Sequence, residues 1–358
     1  MLSPGEPLLL RDLGEWELLR RLAAYAPPGQ FEDDAALLPE QDGRTLVVNT
    51  DVLVEGLHFS DATIAAADLG WRAAAANLSD LAAMGCRRVV GLTVGLVAPG
   101  TTPWPWVDGV YQGLSEALGH YGGTLLGGDC SGGAQRLLAV TALGHLGRGP
   151  IRRGDGRPGD RLVSTGPHGL SRLGLALLQG ELTTGSTATL PAAPMATQPR
   201  QDSTQPDPAL AGRAIQAHQR PRPRLDAVAA LETSQPPATS WRVGGTDSSD
   251  GLLAAVAAIA RNSGCQARLA RGALPLDAAM ATLPQAERWC LSGGEDFELV
   301  LALEPAWAEA LVRALPGARV IGELRTAAAT PDTQGAAVLW QESGEPVGGS
   351  EGWCHFQG

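Results

Sequence analysis

The chain has 358 residues, a formal net charge of −11 and 44% apolar residues. That length suffices for two domains with sizeable cores; the negative charge argues against a nucleic-acid or anionic-membrane surface, and no apolar run reaches the ~18 residues of a membrane span. Met1 to Arg11 lacks a basic start followed by an apolar block, so no secretory signal is expected, and Cys86, Cys130, Cys265, Cys290 and Cys354 form no C-x-x-C pair, which fits a reducing cytoplasm better than a zinc site or a disulfide framework.

In chain order, Thr45 to Asn49 predicts a buried strand and Thr63 to Met84 a long Ala-rich helix stopped by Gly85. Arg88 to Val97 predicts a strand, Trp106 to Tyr121 a helix, Thr124 to Leu126 a short strand ending at Gly127-Gly128, and Leu137 to Gly147 another strand. Arg148 to Gly159, rich in Gly, Pro and Arg, reads as an interdomain connection, after which Asp160 to Ser164 opens a second α/β unit. The two domains are therefore expected at 1–147 and 148–358. Thr183 to Pro208 has almost no large apolar side chains, cannot build a core, and is expected to be a mobile insertion. Leu252 to Ile259 predicts a helix and Leu299 to Leu303 a strand. Alternating strands and helices imply an α/β or α+β enzyme.

Acidic clusters recur beside turns, strand ends and helix faces: Asp33-Asp34, Asn49-Thr50-Asp51, Asn77 with Asp80, Gly127-Gly128-Asp129, Asp247-Ser248-Ser249-Asp250 and Gly293-Gly294-Glu295-Asp296. Carboxylates beside glycines, where a ligand can approach the backbone, suit Mg²⁺ and polyphosphate. Taken singly, each has an ordinary structural reading. Asp33-Asp34 fits a solvated turn, Asp51 a strand-end cap, Asn77 and Asp80 a polar helix face, and Gly127 to Asp129 a hairpin turn; Ser249 or Asp250 fits an N-cap, and His58 a structural histidine. Other nucleotide motifs fail. There is no P-loop, and Gly154 to Gly159, which matches G-x-G-x-x-G, carries Pro158 and leads into a strand rather than a helix.

Together and in order, the motifs resemble a known family. Asp33-Asp34-Ala35-Ala36, Asn49 to Phe59 (NTDVLVEGLHF), Asn77 to Gly85 (NLSDLAAMG), Gly127-Gly128-Asp129, Ser249-Asp250-Gly251-Leu252, Ser292 to Leu299 (SGGEDFEL) and the closing Gly352-Trp353-Cys354-His355-Phe356 are similar to those of the thiamine-monophosphate kinases. Two positions depart from that pattern: Glu32 stands where the family has Gly, and Cys354 where it has Asp. The resemblance implies the two-domain fold of the aminoimidazole-ribonucleotide synthetase superfamily, with an N-terminal domain that binds ATP and Mg²⁺ and dimerises, and a C-terminal α/β domain. It implies several Mg²⁺ ions on Asp33, Asn49, Thr50, Asp51, Asp80, Asp129, Asp247 and Asp250, with Asp51 and Asp129 sharing one ion. It implies ATP on Gly128, Asp129, Ser249, Tyr121 and Arg153 (or Arg152), and thiamine monophosphate on His58, Glu295 and Trp353. The reaction it implies is direct, in-line, metal-assisted phosphoryl transfer with no catalytic nucleophile, in a homodimer that binds neither nucleic acid nor membrane. The competing readings are other enzymes of that superfamily: aminoimidazole-ribonucleotide synthetase itself, selenophosphate synthetase and the hydrogenase-maturation relative, of which the last two make demands on cysteine. Selenophosphate synthetase needs a reactive cysteine near an N-terminal Gly-rich loop, and no cysteine precedes Cys86; the hydrogenase-maturation relative needs a cysteine on a flexible C-terminal tail, and Cys354 sits inside an aromatic motif.

Overall fold

The computed structural model describes residues 9–182, 184, 205–327 and 337–349. Most of the expected insertion at 183–208 thus lies outside the described residues. After helix α1 (Leu10–Leu22), the first half forms a five-stranded sheet in the order β1-β2-β5-β3-β4, from β1 (Ala36–Pro39), β2 (Thr45–Val54), β3 (Cys86–Ala98), β4 (Thr124–Gly132) and β5 (Leu137–Leu146). The pairs are antiparallel except β3 with β4.

One face of this sheet is covered by α2 (Ala66–Ala83), and α3 (Trp104–Tyr121) packs on α2. Small residues let the two helices cross closely: a Cβ at Gly70 would lie 1.9 Å from the Val110 carbonyl oxygen, and one at Gly113 would lie 1.8 Å from that of Ala67. The core between helix and sheet holds Val47, Leu53, Leu69, Leu78, Leu81, Leu92 and Val140. Strand alternation turns Val47, Asn49 and Leu53 inward and leaves Thr50 and Val52 exposed.

The second half forms a six-stranded sheet, order β11-β8-β10-β6-β9-β7, from β6 (Arg161–Ser164), β7 (Gly244–Asp247), β8 (Cys265–Leu269), β9 (Leu299–Leu303), β10 (Arg319–Thr326) and β11 (Val338–Trp340). Every residue of β9, LVLAL, is buried because helices cover both of its faces. On one side lies α7 (Leu252–Asn262), whose apolar residues fill one core; on the other, α6 (Leu225–Ser234) and α9 (Pro305–Ala314) enclose Trp307. Helices α4 (Leu170–Leu178), α5 (Pro208–Gln219) and α8 (Ala286–Ser292) form a satellite cluster around Leu173 and Trp289. Ala82 and Ala83, at the end of α2, belong to the second half's core, so α2 is shared by both halves. No helix among the described residues is long and apolar enough to cross a membrane.

Two strands run further than their sequence suggests. β2 continues through Asp51 to Val54, because its charged residues still pair with β5 along the ladder, Asp51 opposite Val140. Gly127-Gly128-Asp129 is not a turn but the middle of β4. At Gly128 the backbone comes so close to β3 that a Cβ would sit 1.9 Å from the Val94 carbonyl oxygen.

Candidate active site

Three carboxylates from distant parts of the chain converge. Asp34 lies in the loop before β1, Asp80 on α2 and Asp247 at the end of β7, and each offers an oxygen within 4.8 Å of the others. The surrounding polar groups hold them there. Asp34 Oδ1 accepts from Arg153 Nη2 at 2.5 Å and from Thr246 Oγ1 at 2.8 Å. Asp80 Oδ2 accepts from Asn49 Nδ2 at 2.7 Å. Ser79 Oγ donates to Asp247 Oδ2 and Ser249 Oγ to Asp247 Oδ1, both at 2.7 Å. Asn77 donates to the Ala73 carbonyl and accepts from Asn49 and from the Asp51 backbone N–H, so it orients the cluster from behind.

Crowding is written in the acids' proton affinities. Burial first, then Asp247 and Asp34, push Asp51 up to about 6. Burial likewise pushes Asp34 up to about 6 although Arg153 works against it, and Asp80 stands well above the usual carboxylate range through burial and then Asp51. Asp33 is raised by burial, with its Oδ1 accepting from the Arg153 backbone N–H at 2.8 Å.

These groups fit a hard divalent cation. Asp34 Oδ2 and Asn49 Oδ1 are buried and have no hydrogen-bond partner, and the donor set is all oxygen. A consequence for pH follows. Unfolded, Asp34 and Asp51 titrate at 3.8; in the metal-free folded protein they titrate at about 6. The folded chain therefore holds more protons between those values. Their stabilising contribution is full below 3.8 and is lost as pH rises through about 6. A bound cation replaces those protons, so added Mg²⁺ is expected to raise the melting temperature more at about pH 7.5 than at about pH 5. Thermal melts with and without Mg²⁺ at both pH values check this, and equal shifts would contradict it.

Not every expected ligand joins the cluster. Thr50 faces the opposite side of β2, where its hydroxyl meets Thr141 Oγ1 at 2.8 Å; strand alternation cannot present Asn49, Thr50 and Asp51 side chains together. Asp129 does not meet Asp51. Asp51 pairs with Val140, Val140 with Val94, and Val94 with Gly128, so β4's Gly128-Asp129 lies three strand spacings away, about 14 Å. Asp250 is exposed at the start of α7. Arg153 is tied to Asp34 and Thr246, whereas Arg152, 3.7 Å from Asp33, is 45% exposed.

Tyr121 also stands elsewhere than expected. It packs edge-on against Trp71 with ring centroids 5.8 Å apart, beside the start of β4 rather than its Gly128-Asp129 segment. Tyr111, which sequence reasoning missed, takes the nearer place. Its hydroxyl bonds Cys130, next to Asp129, and it lines an open groove with Gln112 and Ser115. No local signal in the sequence separates it from Tyr121 on the same helix.

His58 Nδ1 accepts from the Val54 backbone N–H at 3.0 Å, and His58 is the weakest of the groups that act on the Glu295 carboxyl, behind Arg72 and His218. Glu295 lies in a loop with left-handed backbone at Gly294 (φ 70), Glu295 (φ 58) and Phe297 (φ 53), a strained stretch of the kind found at binding sites. Its neighbours pin the loop. Asp296 accepts from the backbone N–H groups of Gly169 and Ser171 at 2.6 and 3.1 Å, and the Glu295 N–H donates to the Ser249 carbonyl at 2.6 Å, beside Asp247. Partial burial opposes ionisation of Glu295, but Arg72 and then His218 hold its carboxyl below the usual range. Trp353 lies outside the described residues.

Two sheets with a carboxylate cluster at their junction define the class known as AIR synthase related proteins: its N-terminal domain model matches residues 32–146 and its C-terminal domain model residues 157–328. Within that class the sequence is specific. Thiamine-monophosphate kinase of Prochlorococcus marinus is 46% identical over 317 residues, 88% of this chain and 90% of the relative, and that of Synechococcus elongatus is 48% identical over 321 residues with the same coverage. A solved structure of AaThiL complexed with AMPPCP and TMP matches at a TM-score of 0.77 and 25% identity, covering 98% of this chain and 99% of that one. The chain belongs to the thiamine-monophosphate kinase family.

Proposed function

We propose that this chain transfers the γ-phosphoryl group of ATP to the phosphate of thiamine monophosphate, releasing ADP and thiamine diphosphate. The observation that carries this reading is the junction itself: the acidic cluster of Asp34, Asp80 and Asp247 is joined through Ser249 to the left-handed loop that carries Glu295. The curated relatives carry the same name as the activity, and AaThiL was solved with an ATP analogue and TMP.

Asp34, Asp51, Asp80 and Asp247 would hold magnesium, with Asp33 and Asp250 at the margins and Asp129 toward the nucleotide. Bound there, the metal neutralises phosphate charge and offsets the charge that develops during transfer. Glu295, an acid held ionised by Arg72, supplies negative charge for the thiazolium cation, and His58 faces the same space. Gly127, whose missing side chain leaves open space, gives phosphates room against the backbone of β4, Gly128 lets that strand close on β3, and Tyr111 flanks the nucleotide there in place of Tyr121. The acceptor phosphate is ionised near neutral pH, so transfer needs no general base. Two of the buried histidines suit none: burial lowers His168 and His218 to about 4. Direct in-line transfer follows.

The homodimer rests on β4. Every residue of this edge strand is exposed, with Leu125 and Leu126 42% and 47% exposed and Val52 45% exposed on the sheet's open face. Reduced thiols at Cys86, Cys130, Cys265 and Cys290 accord with the cytoplasm. The activity is checked by ³¹P NMR of a mixture with ATP, Mg²⁺ and thiamine monophosphate. New diphosphate doublets from thiamine diphosphate and ADP are expected to grow together; inorganic phosphate growing instead would contradict the transfer.

A further inference from the structure

Arg72 is a buried cation that the reaction, as described so far, does not use. It lies in the first half of α2 and is 4% exposed. A guanidinium removed from water must find partners, or it costs several kcal/mol. It finds them across the junction of the two halves. Nη2 donates to Glu295 Oε1, and Nη1 lies 3.1 Å from His218 Nε2 and donates to the His218 carbonyl at 3.3 Å. His218 on α5 is in turn 3.2 Å from Ser171 Oγ, whose backbone N–H holds Asp296. A closed set of contacts thus runs from α2 through α5 and α4 to two successive residues of the strained loop.

The same helix grips the second half at another point. Ser79, two helical turns on and therefore on the same face as Arg72, donates to Asp247. One residue further, Asp80 belongs to the carboxylate cluster itself. A single rigid element thus fixes Glu295 at one end and the metal-binding acids at the other.

We infer that Arg72 is a positioning residue for the acceptor: by holding the Glu295 carboxylate in its left-handed loop, at a set distance along α2 from Asp80 and Asp247, it registers thiamine monophosphate against the site of transfer. The inference rests on the reading of Glu295 as an acceptor-binding residue. Arg72 acts through Glu295 and touches neither phosphate nor metal. Its planar fork is what the role requires, since one guanidinium serves Glu295 and His218 at once, and a lysine ammonium cannot span both with the same geometry.

The test is a kinetic double-mutant cycle on the full chain with Arg72→Lys, Glu295→Gln and the pair. Arg72→Lys keeps the buried charge, so the melting temperature is expected to stay within a few degrees of wild type. The KM for thiamine monophosphate is expected to rise about tenfold, while the KM for ATP and the Mg²⁺ dependence stay within about twofold. In the Glu295→Gln background, Arg72→Lys is expected to add nothing further to the acceptor KM. His218→Gln, which removes one support of Arg72 and a direct neighbour of Glu295 whose Nδ1 lies 3.7 Å from Oε2, is expected to move the acceptor KM alone, by less, and it serves as the second variant if Arg72→Lys does not fold. Equal rises in both KM values, no rise in either, or effects that multiply in the double variant would overturn the positioning role. An unchanged acceptor KM in Glu295→Gln alone would instead remove Glu295 from the acceptor site, which is a separate failure.

Discussion

Asp51→Asn is expected to lower Mg²⁺-dependent turnover by about a thousandfold while leaving the metal-free protein as stable as wild type or more so. Both halves of that expectation come from the same crowding. Asp51 sits in mid-strand, facing α2, and its carboxyl is pushed up to about 6 by burial and by Asp247 and Asp34. At neutral pH it is therefore mostly ionised in the metal-free fold at a cost to stability, and an amide of the same shape removes that repulsion without opening a cavity. The amide also removes one negative charge from the set that must hold the cation, and the metal's stabilisation of the transferring phosphoryl is worth several kcal/mol. Turnover against Mg²⁺ concentration, beside a melt in chelator, separates the two effects. Full activity at moderate Mg²⁺ would take Asp51 out of the site, and a collapsed melting temperature would make it structural.

Gly128→Ala is expected to damage the use of ATP far more than that of the acceptor. A methyl at this position would lie 1.9 Å from the Val94 carbonyl oxygen and 2.7 Å from its carbon, both backbone atoms that cannot rotate away. The strand must move instead. Since β4 is an exposed edge strand held on one side by β3, it can shift outward, and the clash is relieved by displacing the Gly128-Asp129 segment. A misplacement near one ångström at a nucleotide-binding strand is expected to cost about a hundredfold in kcat/KM for ATP. The melting temperature should fall by several degrees, and Glu295-dependent binding of the acceptor should change little. Steady-state kinetics against each substrate check this. Wild-type kcat/KM for ATP would show that β4 does not hold the nucleotide.

How much of this was visible beforehand depends on the distance over which each feature is written. α2, with its Ala-rich apolar face, and the fully apolar β9 are local patterns, and both stand close to where the sequence places them. The ends of β2 and β4 are not local. Asp51 and Gly127-Gly128 read as strand terminators, yet tertiary pairing with β5 and β3 carries the ladder through them. Asp34, Asp80 and Asp247 become one cluster only when both halves are folded, so no spacing rule joins them; the family resemblance grouped Asp80 and Asp247, but with Asp33 in place of its neighbour Asp34. Thr50 was within reach of sequence logic: period-two alternation already sends it away from Asn49 and Asp51. Arg72 was too. A lone arginine within Trp71-Arg72-Ala73-Ala74-Ala75, on a helix otherwise fit for a core, had to have a buried partner, although nothing local said that the partner was Glu295. Tyr111 and Tyr121 both lie on α3, and only the fold shows which of them reaches β4.

The account stands or falls on what accepts the phosphoryl group. The direct measurement is ADP release by the purified chain with ATP and Mg²⁺, in parallel with thiamine monophosphate, with thiamine and with no acceptor. The acceptor atom here is an ionised phosphate oxygen, which needs no deprotonation before it attacks. ADP is therefore expected to appear with thiamine monophosphate, one for each thiamine diphosphate formed, and to stay at the no-acceptor level with thiamine. Equal ADP release with thiamine, or none with thiamine monophosphate, would contradict the account.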